Sequence, residues 1–295
     1  MSAPRLLLVD GHGYAYRAFH AIRALHGPDG SPTNAIYGFV KMVGRLNSLL
    51  APGYQAVVWD GGLAAERQAA LPEYKQQRPP MPAALEQQLP GIMAWLEAMR
   101  CASLLQPGVE ADDWIAGLAA RGAAAGLEVV IASSDKDFMQ LVGGQVGLLN
   151  PNDRTEKIWT ADVVRNRTGV RPDQIVDWLS LVGDASDNIP GVPGIGPKTA
   201  AQLLARFGSV DALYARLDEV DSDKLRRSLQ QSEPEVRRNQ NLIRLKPEAC
   251  PEVGLESLRV QPPDTHRLRA LYEQWGFKSL LAELAQPATA QGSLW

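Results

Sequence analysis

Three short stretches of the chain carry no polar residue and run into an acid. Leu6-Leu7-Leu8-Val9 leads to Asp10, Ala56-Val57-Val58-Trp59 to Asp60, and Val129-Val130-Ile131-Ala132 to Ser133-Ser134-Asp135. Runs of that length, bounded by turn residues, read as buried strands. A fourth apolar run, Trp178 to Val182, precedes Asp184 and Asp187. Ile36, Phe39, Val40, Val43, Leu46 and Leu50 lie near helical spacing. So do Leu85, Leu89, Ile92, Leu96 and Met99, with Pro90 expected to kink or interrupt that helix. After the turn at Pro107-Gly108, a helix beginning near residue 111 packs through Trp114, Ile115 and Leu118, and Val146 to Leu149 supplies a further strand. Strands alternating with helices predict an α/β layer structure with a mainly parallel sheet.

Two stretches depart from this alternation. Residues 61–82 hold Arg67, Tyr74, Lys75, Arg78 and the proline cluster Pro79, Pro80 and Pro82 but few core-forming side chains, so they read as an excursion from the fold. Beyond about residue 160 the strand signals stop, and a second, helical region is expected at 171–286. A flexible tail of polar and small residues is expected at 287–295.

The acids are the chemistry. Val109-Glu110-Ala111-Asp112-Asp113 places three carboxylates within four residues, and Asp10, Asp60, Asp135, Asp137, Asp184 and Asp187 join them. Any one acid at a helix start reads equally well as a cap or a response to the macrodipole. All nine together do not, because ligand sites of open parallel sheets lie beyond the strands' carboxyl ends, where three of these acidic sites fall. Such a cluster needs cations, and all-oxygen donors suit Mg²⁺ or Mn²⁺ rather than zinc. Paired carboxylates from separate segments predict a site for two or more metals that transfers phosphoryl groups.

Charge and cysteine content then narrow the class. The 295 residues are 45% hydrophobic and 21% charged, ordinary for a globular chain long enough for one large or two modest domains. Cys101 and Cys250 stand far apart, so neither a disulfide framework nor a zinc site is indicated. The first apolar run is too short for a signal-peptide core and no run is long enough to span a membrane, so a cytoplasmic protein without a membrane partner is expected. Net charge is −3, yet with the nine acids set aside 24 of 33 remain against 30 Lys and Arg. A polyanionic partner is therefore permitted.

Two motifs bear on that partner. Gly191-Val192-Pro193-Gly194-Ile195-Gly196-Pro197-Lys198-Thr199-Ala200 carries the PGIGxKTA signature of a helix-hairpin-helix at about 188–208. Gly194 and Gly196 allow a tight turn with exposed amides, and Lys198 and Thr199 open the next helix, a backbone-phosphate site that reads no bases. The basic stretch offers Arg67, Lys75 and Arg78 to a phosphate and Tyr74 for stacking on a base, with Arg17 upstream, or it is a solvated loop. The histidines His12, His20, His26 and His266 lack ligand spacing and read as structural.

In order and spacing, VDGHGYAYRAFHA, WDGG, YKQQRPPMP, GVEADDWIA, SSDKDFMQL, GDASDNIPGVPGIGPKTA and GFKSLLAEL resemble the bacterial 5′→3′ exonuclease/flap endonuclease family, as found at the N-terminus of DNA polymerase I. The resemblance runs to about residue 286. It implies a PIN-like α/β core over 1–170 with a helical arch at about 61–100, and a helix-three-turn-helix that holds K⁺ against duplex backbone. It also implies Mg²⁺-dependent hydrolysis near 5′ single-strand/duplex junctions, on flaps, nicks, overhangs or RNA primers, giving 5′-phosphates. Asp10, Asp60, Glu110, Asp112, Asp113, Asp135, Asp137, Asp184 and Asp187 match the family's metal-binding carboxylates. Lys75 and Arg78 match arch residues on the scissile phosphate, and Arg17 matches a DNA-contacting arginine. His12 departs from many relatives, which carry a small polar residue there. A stand-alone, monomeric nuclease is expected; the rival from another class is a DNA-junction binder without turnover. Finally, Gln291, Leu294 and Trp295 resemble the pentapeptide that binds the bacterial sliding clamp.

Overall fold

A computed structural model describes residues 3–249 and 251–285. The first half interleaves five strands with helices: β1 (Arg5–Asp10), α1 (Gly11–Ala21), α2 (Asn34–Leu50), β2 (Tyr54–Val58), α3 (Ala65–Ala70), α4 (Ala83–Glu86), α5 (Leu89–Ala98), β3 (Ala102–Leu104), α6 (Ala111–Ala124), β4 (Glu128–Ala132) and β5 (Val146–Leu149). Helices then dominate, with α7 (Ala161–Thr168), α8 (Ile175–Val182), α9 (Pro197–Phe207), α10 (Val210–Ala215), α11 (Asp223–Gln231), α12 (Glu233–Ile243), α13 (Thr265–Trp275) and α14 (Lys278–Leu284). One two-residue antiparallel pair, β6 (Gly183–Asp184) with β7 (Ile189–Pro190), interrupts them.

The sheet has the order β3-β2-β1-β4-β5 and every pairing in it is parallel. β1 is central, and its period-two alternation divides the core. Leu6 and Leu8 face the layer containing Ile115 and Leu118 of α6, while Leu7 and Val9 face Phe39 and Val43 of α2 and Trp95 of α5. Burial on both faces explains why the strands read as unbroken apolar runs.

The chain departs from the sequence pattern at four places. β3 was not anticipated; it is three residues long at the sheet edge, too short to show a period. Trp178–Val182, which resembled the strand ends, is the close of α8, where Ile175 and Leu179 complete a buried helical face. The helix expected through residues 85–99 breaks at Gln87-Gln88, so Pro90 falls in the first turn of α5, where its missing N–H costs nothing. The helical stretch 171–286 does not pack as one unit. α8 packs against α9 and α12, whereas Leu268, Tyr272, Trp275 and Leu280 of α13 and α14 return to the α2–α5 side of the sheet. There the Trp95 indole N–H donates to the Tyr272 hydroxyl at 3.0 Å.

The stretch 61–82 needs the largest correction. Its rim from Gln76 to Pro80 is exposed, but Arg67, Leu71, Tyr74 and Lys75 are buried. It is an excursion in chain path that brings its polar side chains inward. Among the described residues no helix is long and apolar enough to cross a membrane. Gln291, Leu294 and Trp295 lie outside the described residues.

Candidate functional site

The carboxyl ends of β1, β2 and β4 lie side by side, so the residues immediately after these three strands meet at one edge of the sheet. Asp10, the last residue of β1, caps α1. Its Oδ1 accepts from the Gly13 N–H at 2.9 Å and its Oδ2 from the Ser133 hydroxyl at 2.8 Å. Asp60 lies just beyond β2, and its Oδ1 accepts from the Gly62 N–H at 2.9 Å. Between them, Gly61 lies so close to the segment before α6 that a Cβ would come within 1.7 Å of the Gln106 carbonyl oxygen. Reciprocal bonds, Gly61 N–H to Val109 O at 2.9 Å and Gly108 N–H to Gly61 O at 2.8 Å, lock Asp60 beside the start of α6. After β4, Asp135 caps a short 3₁₀ helix (Lys136–Leu141) by accepting from the Asp137 N–H at 2.9 Å.

Asp10, Asp60, Asp112 and Asp135 line a common cavity of about 660 Å³, with His12, Tyr16, Gln77, Arg78, Lys136 and Ser186. Asp137 is buried behind it, and its Oδ1 has no hydrogen-bond partner. Burial raises the pKa of Asp10, Asp112, Asp135 and Asp137, and for Asp112 and Asp137 repulsion from Asp135 is the next cause. These groups resist carrying their charges together without a cation.

The other acids already have cations. Arg67 grips both oxygens of Asp113 at 2.8 and 2.9 Å, reaches Glu110 at 3.0 Å, and donates to the Leu242 carbonyl at 3.0 Å. Lys75 Nζ lies 2.6 Å from Glu110. For Glu110, burial pushes the pKa up, but Lys75 and Arg67 outweigh it and the net shift is downward. Asp184 binds Lys136 at 2.9 Å and the Ser186 hydroxyl at 2.6 Å; again burial is outweighed and its pKa falls. Asp187 pairs with Arg78 and accepts from the Tyr74 hydroxyl at 3.3 Å. Lys75 sits at φ 57°, and its backbone N–H donates to the Asp187 carbonyl at 3.1 Å. A left-handed conformation at a non-glycine residue persists where surrounding bonds hold it.

The nine acids therefore draw together, but with unequal access. Asp113, expected as a metal ligand, has its carboxylate engaged by protein groups. Both its oxygens are taken by Arg67, and its Oδ1 also accepts from the Lys246 N–H at 2.9 Å. Arg67 is not placed on DNA, since it is 3% exposed and joins the 61–82 stretch to the end of α12. Tyr74 is not free to stack on a base; it is 3% exposed and the Lys75 ammonium lies 4.9 Å from its ring centre. Glu110 and Lys75 face each other and are buried, while Arg78 reaches the cavity rim. Arg17 on α1 is half-buried and bonds Asn152.

At the hairpin, Gly194 adopts φ 84° and Gly196 caps α9, whose first turn carries exposed Lys198 and half-buried Thr199. Several groups at or beside the cavity were given no site role from the sequence, among them His12, Tyr16, Lys136 and Ser133. His12 alone carried a signal, its unusual place two residues after Asp10.

The residues fit a divalent cation. The donors are carboxylate oxygens, several are driven toward protonation by burial and one another, and Asp137 Oδ1 is an orphaned buried acceptor. As placed, no group of three or more His, Cys, Asp or Glu side chains among the described residues is close enough together to hold a metal ion.

Residues 5–169 match the family described as 5′-3′ exonuclease, N-terminal resolvase-like domain, and residues 170–266 match its C-terminal SAM fold. The chain is 36% identical over 280 residues to a 5′-3′ exonuclease of Aquifex aeolicus, covering 95% of this chain and 94% of that protein. It is 37% identical over 293 residues to DNA polymerase I of Bacillus caldotenax, covering 97% of this chain but 33% of the polymerase. The chain thus spans about a third of that relative's length. Among solved structures, a bacteriophage T5 flap endonuclease complex with DNA and metal ions superposes with TM-score 0.68 at 22% identity, covering 96% of this chain and 100% of that one. That likeness carries the fold.

Proposed function

The chain belongs to the 5′-3′ exonuclease family, and on that footing we propose that it is a structure-selective 5′ nuclease hydrolysing DNA phosphodiesters near 5′ single-strand/duplex junctions. The observation that carries the reading is the meeting of Asp10, Asp60, Asp112 and Asp135 in one cavity at the carboxyl ends of β1, β2 and β4. The relatives support it: the T5 protein is a flap endonuclease, and its complex contains DNA and metal ions.

In this reading Asp10, Asp60, Asp112 and Asp135 hold divalent cations, Mg²⁺ or Mn²⁺, with Asp137, Asp184 and Asp187 behind them. When bound, such ions activate water and offset charge on the transferring phosphate. The chain's own groups do the rest. Ser133 and the Gly13 N–H orient Asp10, leaving its carboxylate at the cavity wall. Arg78 and Lys136 draw the phosphodiester to the rim, each exchanging its aspartate for a phosphate oxygen. Lys75, 2.6 Å from Glu110, holds that carboxylate beside the site, and Glu110 would complete the ligand set of a bound ion. The Gly194–Gly196 turn, Lys198 and Thr199 grip duplex backbone, with K⁺ at the turn, and Arg17 touches the same strand. The protein acts as a monomer.

One gel assay tests this. A 5′-labelled flap, a nicked duplex and a single strand are incubated with and without Mg²⁺. The expected outcome is Mg²⁺-dependent cleavage at the junction of the flap, leaving 5′-phosphates on the downstream product. Binding of the flap without cleavage in any divalent ion would replace the enzyme by a junction-binding protein.

A further inference from the structure

His12 sits among the cavity acids with one edge fixed and the other free. Its Nδ1 accepts a hydrogen bond from the Asp60 backbone N–H at 3.2 Å. An accepting Nδ1 carries no proton, so the neutral ring bears its hydrogen on Nε2. The ring plane is set by Trp59, which it meets edge-on with centroids 5.3 Å apart and an interplanar angle of 87°. Trp59 is itself anchored, 1% exposed, donating through its indole N–H to the Ser103 hydroxyl at 2.9 Å and stacked on Phe39.

His12 lines the cavity with Asp10, Asp60, Asp112, Asp135 and Arg78, and among the described residues nothing accepts from its Nε2–H. The neighbouring cations differ in this respect, since Arg78 is held by Asp187 and Lys136 by Asp184. A phosphate oxygen entering this cavity meets carboxylates on most sides. A neutral, rigid N–H is a donor that need not first leave an aspartate.

We infer that the His12 Nε2–H donates a hydrogen bond to a non-bridging oxygen of the phosphodiester held in this cavity, making His12 a substrate-contacting residue of the reaction. The inference rests on the nuclease reading above. Preorganised donors of this kind act on charge that develops during the reaction without reorganising.

Two substitutions separate the two edges of the ring. His12→Asn places an amide oxygen near Nδ1, keeping the acceptor for the Asp60 N–H but removing the cavity donor. His12→Gln extends an amide N–H₂ to the Nε2 position, keeping that donor. Under single-turnover conditions with flap DNA and Mg²⁺, His12→Asn is expected to lose on the order of 10²-fold in rate, with flap affinity changed by less than about threefold. His12→Gln is expected to stay within about tenfold of wild type. Asn matching wild type, or both variants falling equally, would overturn the inference, because the ring would then act through Asp60 or through packing.

A second measurement is independent of cleavage. Long-range ¹H–¹⁵N spectra of histidine-labelled protein, with His12 assigned by its absence from His12→Gln, should show the Nε2–H tautomer. Its Nε2 resonance should move when flap DNA is added in divalent-free buffer. An Nδ1–H tautomer, or no shift at saturating DNA, would also overturn it. If wild type does not cleave at all, the nuclease reading fails, and the spectra still decide whether His12 meets a phosphodiester.

Discussion

Replacing Arg67 by methionine should unfold the protein more readily instead of simply releasing DNA. The guanidinium is buried with two carboxylates and makes ionic contacts of 2.8, 2.9 and 3.0 Å, plus a 3.0 Å bond to the Leu242 carbonyl. Methionine keeps much of the stem's packing but none of the donors. Glu110 retains Lys75 at 2.6 Å, whereas Asp113 keeps only the Lys246 N–H at 2.9 Å. Breaking one side of a buried pair costs about 3–5 kcal/mol, because the remaining charge is stranded. For a chain of this size that corresponds to a fall in melting temperature on the order of 10 °C. Urea and thermal unfolding followed by circular dichroism measure it. Arg67→Met/Asp113→Asn should recover half or more of the loss, since the stranded charge is gone while the Lys246 bond can remain. A single variant that melts within about 2 °C of wild type yet loses DNA affinity would refute the reasoning and return Arg67 to the DNA-contacting role.

Three further outcomes rest on the same geometry. Asp112→Asn and Asp135→Asn should each lose at least about 10²-fold in Mg²⁺-dependent cleavage with flap binding retained, while Asp113→Asn should chiefly lower the melting temperature; equal losses of rate at all three would merge the two groups of acids. Asp137→Asn should raise the melting temperature in divalent-free buffer at neutral pH. The folded-state pKa of Asp137 is raised by burial and by Asp135, so its charge destabilises the fold as pH climbs above the unfolded value of 3.8. The variant's advantage should therefore shrink as pH falls toward that value, and an advantage that grows on acidification would contradict the sign. Lys198→Ala should weaken duplex binding uniformly across sequences and flatten the log–log salt dependence by about one unit, as read by titration at several salt concentrations; a loss that depends on sequence would mean that the hairpin reads bases.

What the chain determines by itself is the layer order and the position of the acids along it. Apolar runs such as Leu6–Val9 and Val129–Ala132 are strands because both their faces are buried, and a parallel sheet places everything after them at one edge. Asp10, Asp60 and Asp135 follow such runs, so their approach to one edge is legible in the chain. The partners of the remaining acids were not legible. Arg67 and Lys75 stand in a stretch of small, polar and proline residues, and nothing local distinguishes a cation aimed at solvent from one aimed inward. Their burial depends on α6 and α12 arriving from 46 and 175 residues away, measured at the Asp113 and Leu242 contacts. His12 shows the same limit on a smaller scale: as one of four scattered histidines it carried no ligand pattern, and only the approach of Asp60 and Trp59, across the β1–β2 pairing, gives its Nδ1 a donor and its ring a fixed neighbour. Periodicity reports which side of an element is buried; which charged groups meet there is decided by long-range contacts that have no period.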